Sequence, residues 1–159
     1  MSKDKYFVIC DSSEKAGFKY HFVESWDCSG CVTQSLNTGD YTLRGWEDKL
    51  CIERKRNVSE ICQNLHEDRF YRQLERMREF RWCYLLMEFS LADLLSYPEG
   101  ANLPPKVKGK IKATGPYLLK KLTEVMIKYN NIQFLFCGNR QNAYITCLSI
   151  MKRVHEFKD

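Results

Sequence analysis

The chain has 159 residues, of which 44% are hydrophobic and 28% charged, and its formal net charge is +5. These values predict one globular domain over residues 1–159 with its own hydrophobic core, and they exclude an intrinsically disordered chain. No apolar run is long enough to cross a bilayer, and the N-terminus lacks a signal-peptide core. We therefore expect an intracellular protein, cytoplasmic or located with its substrate, that is neither secreted nor bound to membrane.

The first third of the chain predicts short strands. An apolar run over residues 5–10 stops at Asp11, with Glu14 three residues further on. Weaker strand patterns cover residues 18–23 and 32–36, and a turn at Gly39 leads through Asp40 into a strand over residues 41–43. A hairpin then returns the chain into an apolar strand, residues 49–55, that ends in Glu53, Arg54 and Lys55.

From residue 57 onward the hydrophobic period changes to that of helices. Asn57 and Glu60 are spaced as a helix-start capping pair. The pattern then predicts a second helix from Asp68, a buried strand (82–87), a short helix after Ser90, an irregular region (97–115), a helix (116–129), a strand (132–136) and a helix from Asn139. Strands followed by helix–strand–helix alternation predict an α/β fold, a single three-layer domain with a central mixed sheet flanked by helices.

Three acids, Asp11, Asp40 and Glu53, end or flank strands that could lie side by side. Carboxylates gathered at one sheet edge repel one another unless they are hydrogen-bonded or bind a cation. Their oxygen ligands favour Mg²⁺ or Mn²⁺. Separate, solvated carboxylates are the alternative.

Glu53 and Lys55 point to the same face of their strand, because side chains alternate with period 2. An acid and a base side by side suit a phosphodiester-cleaving metal site, in which a lysine lies against the attacked phosphate. The alternative is a surface ion pair at a solvated strand end.

Cys28 and Cys31 have the C-x-x-C spacing of a zinc or redox site, with His21 nearby. Zinc needs two more ligands, and none of the three histidines is spaced to complete the site. A plain turn is the other interpretation. The remaining cysteines mostly lie in apolar patterns and favour buried free thiols in a reducing compartment.

Basic residues are concentrated after the acidic strand end. Arg69, Arg72 and Arg76 share one helix face, and lysines alternate from residue 106 to 112. Together they suggest a sequence-independent footprint for a phosphate backbone, although each alone could be a solvated surface. The candidate binding residues are Arg56, Arg69, Arg72, Gln73, Arg76, Lys108 and Lys110.

Gly39-Asp40-Tyr41 followed by Ile52-Glu53-Arg54-Lys55 resembles the GDx(n)ERKxxxD signature of the XPF/Mus/Hef-type (ERCC family) nuclease domain, a branch of the restriction-endonuclease-like fold. Asp11 and Glu14 resemble that family's DxRE acid pair. The resemblance covers about residues 6–90 and continues from residue 132 in pattern only. The chain departs from the signature at Ser13 and at Ser59, where the family has Arg and Asp, and Glu60 comes one residue late.

The resemblance implies a metal-dependent, structure-specific endonuclease acting on branched or partly single-stranded DNA in repair, recombination or viral DNA processing. Asp40 and Glu53 would hold Mg²⁺ or Mn²⁺, assisted by the Arg54 carbonyl, with Asp11 as an outer ligand. Lys55 would position or deprotonate the attacking water, and Arg54 would orient the carboxylates or grip a phosphate.

The usual helix-hairpin-helix and helicase domains are not found in the chain. A homodimer, or a heterodimer with a related domain, is expected by resemblance. The alternative functions are a non-catalytic DNA-binding or scaffold module of the same fold and a zinc-dependent interaction protein.

Overall fold

A mixed sheet forms the centre of the computed structural model, which describes residues 4–14 and 19–157. Within those residues the sheet has six strands in the order β2-β1-β3-β4-β5-β6. The strands are β1 (Tyr6–Asp11), β2 (Cys28–Gln34), β3 (Tyr41–Leu43), β4 (Leu50–Lys55), β5 (Trp82–Met87) and β6 (Gln133–Phe136). β3 is antiparallel to both of its neighbours, while the other adjacent pairs are parallel. The first residue of β3 therefore lies at the edge where β1 and β4 end.

Helices cover both faces of the sheet. They are α1 (Val58–Asn64), α2 (Asp68–Met77), α3 (Leu91–Leu95), α4 (Pro105–Lys108), α5 (Gly115–Lys128) and α6 (Arg140–Glu156). Apolar residues of α1, α2, α3 and α5 form the core on one face, and α6 with Tyr20 and Phe22 forms the core on the other. The predicted three-layer α/β domain with a mixed sheet is confirmed. None of the helices in the described residues is long and apolar enough to cross a membrane.

Two predicted elements near the N-terminus were wrong. Residues 19–23 form no strand, and Phe18 lies outside the described residues. Tyr20 and Phe22 are buried at alternate positions, which mimics a strand, but the Tyr20 N–H donates to the Tyr41 hydroxyl (3.0 Å). The predicted turn at residues 28–31 is instead the first part of β2, which pairs in parallel with β1 and ends at Gln34.

The helical half follows the sequence more closely. The Asn57 side chain caps α1 by accepting from the Glu60 N–H (2.8 Å), as predicted. The region predicted to be irregular, 97–115, contains the short helix α4. It ends at Gly115, where α5 packs so closely on α3 that a Cβ would lie 2.1 Å from the Leu95 carbonyl oxygen.

Candidate active site

Three chain segments converge at the sheet edge where β1 and β4 end and β3 begins. Ser13 and Glu14 come from the turn after β1, Asp40 precedes β3, and Glu53 and Arg54 lie near the end of β4. With Arg56 and Glu60 they line one cleft, which we call the acidic cleft. Its four carboxylates, Glu14, Asp40, Glu53 and Glu60, outnumber its two arginines.

Asp40 is fixed beside β4 by the main chain. Its N–H donates to the Ile52 carbonyl (2.8 Å), and its own carbonyl accepts from the Asp11 N–H (2.8 Å). The preceding Gly39 has φ +87°, and a Cβ there would lie 2.6 Å from the Cys51 sulfur. Only glycine adopts this conformation easily and allows so close an approach.

The carboxylates of the acidic cleft destabilise one another's charge. Burial first, and then the charges of Glu53 and Glu14, raise the pKa of Asp40 well above its usual value. The Arg54 N–H opposes this shift by donating to Asp40 Oδ2 (2.9 Å). Burial also raises the pKa of Glu53, although Lys55 and a hydrogen bond from Gln73 act against it. A cation bound here would relieve this repulsion.

Lys55 and Glu53 share the sheet face that α1 and α2 cover, as the strand period predicted. Lys55 Nζ lies 3.4 Å from Glu53 Oε1, and the two side chains are only 6% and 10% exposed. Lys55 Nζ also lies 5.2 Å from the centre of the Phe70 ring. Burial on this scale excludes the solvated surface ion pair.

Arg54 points to the opposite face and is almost completely buried. Its Nε and a terminal nitrogen donate to the two Glu88 carboxylate oxygens at 2.7 and 2.8 Å. Its other terminal nitrogen donates to Glu14 Oε1 at 3.3 Å. These contacts agree with the predicted orienting of carboxylates, whereas burial among carboxylates leaves no support for the predicted grip on a phosphate. Glu88 was not among the predicted site residues, although it directly follows the buried strand β5.

Asp11 does not join the acidic cleft. Its Oδ1 accepts from the Leu36 N–H (2.8 Å), and its Oδ2 accepts from the Ser13 hydroxyl. The carboxylate therefore secures the chain beyond β2, and the turn that follows places Glu14 in the cleft instead. The Asp11 main chain lies beside Asp40, as the strand order requires, but its carboxylate is outside the cleft, and its role as an outer ligand stays a prediction.

Glu60 supplies an acid where the signature residue is displaced. Its Oε2 accepts from the Arg56 N–H (3.2 Å) and lies 3.3 Å from Arg56 Nε. The Ser59 hydroxyl, in the signature position, is directed to the Tyr97 hydroxyl (3.4 Å). Glu60, one residue after the signature position, therefore supplies the carboxylate that lines the acidic cleft.

A second cleft, the basic cleft, adjoins the first and shares Glu53, Arg56 and Glu60 with it. It is lined in addition by Lys55, Gln63, Asn64, Arg69, Phe70, Gln73 and Arg76, and encloses about 450 Å³. Arg76 also donates to the Thr38 hydroxyl (3.1 Å) in the turn before Asp40.

The other predicted DNA-binding residues lie elsewhere. Arg72 lines neither cleft, although it was predicted together with Arg69 and Arg76. Lys108 and Lys110 also lie outside both, and Lys108 Nζ donates to the Glu99 carbonyl (2.9 Å). The structure therefore brings only part of the predicted basic set to the site.

The donor atoms of the acidic cleft fit a hard divalent cation. Within residues 4–14 and 19–157, no three His, Cys, Asp or Glu side chains are arranged so that they could hold a metal ion. Mg²⁺ needs no such cage, because it keeps several waters and is commonly bound by one or two carboxylates plus a substrate phosphate. Asp40 and Glu53 provide such a pair.

The cysteine pair is poorly placed for zinc. Cys28 is buried, and its sulfur accepts from the Gly30 N–H (3.4 Å). Cys31 is exposed, with its sulfur 3.7 Å from the Phe22 carbonyl oxygen. A third ligand is missing among the described residues, since they contain no metal-holding group of three.

Comparisons with known proteins agree with the signature. A family model described as the ERCC4 domain matches residues 10–144. The structure of XPF from Aeropyrum pernix superposes with a TM-score of 0.62 at 16% identity, covering 96% of this chain and 66% of that one. The structure of the same protein in complex with DNA gives 0.62 and 17%, covering 98% and 68%. The chain thus spans about two thirds of that protein's length, and no curated protein matches it.

Proposed function

We propose, from the premise that the chain belongs to the ERCC4 domain family, that it is a divalent-metal-dependent endonuclease cleaving branched or flap-type DNA. The observation that carries the proposal is the convergence of Asp40 and Glu53 at one sheet edge with Lys55 Nζ 3.4 Å from Glu53. An electrostatically strained acidic cleft beside a basic one suits a reaction that needs a cation and a phosphodiester together.

Asp40 and Glu53 are the residues that would hold Mg²⁺ or Mn²⁺, and the Arg54 carbonyl is the third candidate ligand. When bound, such an ion polarises a phosphoryl oxygen and lowers the pKa of a bound water. Lys55, as an ammonium group, donates to a phosphate oxygen and offsets the negative charge that grows in the transition state. Hydrolysis adds the water oxygen to phosphorus and breaks one ester P–O bond. The leaving oxygen takes up one proton and departs as a hydroxyl group, and the other product is a phosphate monoester.

The position of the basic cleft indicates the path that a bound DNA strand would follow from the acidic cleft. A phosphate at the shared wall, beside Glu53 and Lys55, places the next part of the strand toward Arg69, Gln73 and Arg76. The XPF structure determined in complex with DNA gives a precedent for DNA as the ligand of this fold. Preference for a branched substrate and pairing with a second copy or a related domain remain predictions.

Cleavage of a labelled flap or splayed-arm DNA in Mg²⁺ or Mn²⁺ tests the proposal. Asp40→Asn and Lys55→Ala should each lower the cleavage rate about 100-fold, because the first removes a carboxylate that would hold the cation and the second removes the positive charge beside the phosphate. Asp48→Asn is the matched control, since Asp48 is exposed in the β3–β4 turn. Equal rates in all four proteins contradict the proposal, and metal-independent binding of branched DNA without cleavage identifies the scaffold alternative.

Arg76→Ala and Arg72→Ala test the basic cleft separately from catalysis. Losing a phosphate contact through Arg76→Ala should weaken DNA binding and reduce the slope of log K against log salt by about 1. Arg72→Ala removes the same charge from the same helix outside the cleft and should leave both quantities close to wild type. An equal loss of DNA affinity in both variants would mean that α2 attracts DNA through its net positive charge and not through a contact in the basic cleft.

A further inference from the structure

Residues 19–22, which we call the strap, lie on the sheet face opposite Lys55 and contact the buried Arg54–Glu88 pair through Tyr20. The Tyr20 hydroxyl donates to Glu88 Oε2 at 2.5 Å. Its ring centre lies 4.3 Å from the Arg54 guanidinium carbon, and the ring stacks on Tyr41 at a centroid distance of 5.2 Å. Two side chains therefore hold the Arg54 guanidinium. Glu88 accepts two hydrogen bonds from it, and the ring of Tyr20, whose hydroxyl donates to Glu88, packs against it.

Arg54 in turn holds two carboxylates of the acidic cleft. Its main-chain N–H donates to Asp40 Oδ2 (2.9 Å), and its side chain donates to Glu14 Oε1 (3.3 Å). Glu14 and Tyr20 are only six residues apart in the chain, so both ends of this stretch contact Arg54. The position of the Glu14 carboxylate thus depends on how firmly Glu88 and Tyr20 fix the Arg54 side chain, whereas Asp40 is held by the main chain of β4.

Other contacts fasten the strap without involving any carboxylate. The Lys19 carbonyl accepts from Arg140 (2.6 Å), and the His21 carbonyl accepts from the Tyr144 hydroxyl (3.1 Å). The Tyr20 N–H donates to the Tyr41 hydroxyl (3.0 Å). Loss of the Tyr20 hydroxyl alone should therefore leave the strap in place.

We propose that Tyr20 is a positioning residue that acts through Glu88 and the Arg54 side chain to set the Glu14 carboxylate, which lines the acidic cleft with Asp40 and Glu53. Its hydroxyl satisfies a Glu88 oxygen that also accepts from Arg54 Nε. Without this hydrogen bond the Glu88 carboxylate and the Arg54 guanidinium have more freedom. Glu14 is then less well ordered beside Asp40 and Glu53, and the acidic cleft holds a cation less firmly. Outer partners of this kind tune metal affinity without touching the ion. The inference rests on the proposed function, because it assumes that the acidic cleft binds a divalent cation.

Mn²⁺ binding, measured by calorimetry on the full chain without DNA, tests the inference in Tyr20→Phe and Tyr144→Phe. Each variant loses one tyrosine hydroxyl from the same region, and Tyr144 does not contact the carboxylates. Tyr20→Phe should bind Mn²⁺ about tenfold more weakly, and Tyr144→Phe as wild type does. Cleavage by Tyr20→Phe should need about tenfold more Mn²⁺ for half-maximal rate and approach the wild-type rate at saturation.

Glu88→Gln removes an acceptor of the same network and serves as the second variant, which must also weaken Mn²⁺ binding. Unchanged Mn²⁺ affinity in Tyr20→Phe, beside a wild type that binds Mn²⁺ and cleaves, overturns the positioning role alone. Equal loss in both tyrosine variants also overturns it, because the effect would then come from the packing of the strap. Absence of both Mn²⁺ binding and cleavage in the wild type refutes the proposed function itself.

Discussion

Replacing Glu88 with glutamine perturbs the most deeply buried ion pair of the site while keeping the side-chain shape. The Glu88 carboxylate accepts from Arg54 at 2.7 and 2.8 Å and from the Tyr20 hydroxyl at 2.5 Å. Its side chain is 3% exposed and that of Arg54 is 2% exposed. The variant removes the negative charge and turns one acceptor atom into a donor that faces the donors of Arg54 or Tyr20.

Removing one partner of a buried pair costs about 3–5 kcal/mol, because the other charge remains buried without compensation. Here Glu14, at 3.3 Å from Arg54, still compensates part of that charge. We therefore expect the free energy of unfolding to fall by about 3 kcal/mol. Domains are commonly stable by about 5–15 kcal/mol, so the variant should still fold, with a midpoint temperature lower by about 6–12 °C.

Urea unfolding followed by circular dichroism measures this change, and the midpoint should fall with an unchanged slope. Glu156→Gln is the control, because its ion pair with Arg153 lies on the surface with the Glu156 side chain 40% exposed. That pair should contribute less than about 1 kcal/mol. A loss in Glu88→Gln no larger than that of the control would refute the reasoning that Glu88 compensates a buried guanidinium.

The close packing of α3 on α5 predicts that Gly115→Ala lowers the free energy of unfolding by about 3 kcal/mol, since the new Cβ meets main-chain atoms that cannot move aside. Gly109→Ala, whose Cβ would have its nearest contact at 3.6 Å, should instead stabilise the protein by about 0.5 kcal/mol in the same urea assay. A destabilised Gly109→Ala would contradict this. The thiols should react unequally at pH 8: the exposed Cys31 should be alkylated first, whereas burial raises the pKa of Cys10 to about 12 and keeps it as the unreactive thiol. Mass spectrometry of briefly alkylated native protein gives the order, and early labelling of Cys10 would show that the β1–β2 region opens.

The sequence was sufficient for contacts that depend on local periodicity. Glu53 and Lys55 share a face because strand side chains alternate, and Asp40 meets Glu53 because a short hairpin joins β3 to β4. The structure places both relationships where the pattern predicted them. Buried runs such as those of β4 and β5 also show their identity as strands without any alignment.

Contacts between distant segments could not be predicted in the same way. Arg54 meets Glu88 because Lys55 lies opposite Met87 in the β4–β5 pair. The sequence does not fix that register, because both strands are buried on both faces and β5 has no polar face to orient it. The entry of Glu14 into the acidic cleft depends on the path of a tight turn after β1. The hydrogen bond from Tyr20 to Glu88 joins residues 68 positions apart.

The proposed metal-binding residues lie at the open end of the β3–β4 hairpin, so its turn offers a site for a reporter group. Asp40 and Glu53 lie at its open end, whereas Glu47 and Asp48 are exposed in the turn at the other end. Exposed turn tips are where inserted segments are best tolerated. A peptide tag placed between Glu47 and Asp48 leaves Trp46 in contact with His155 (ring centroids 5.2 Å apart) and keeps the label away from both clefts. Such a labelled protein would allow binding and cleavage to be followed on one molecule without altering the residues under test.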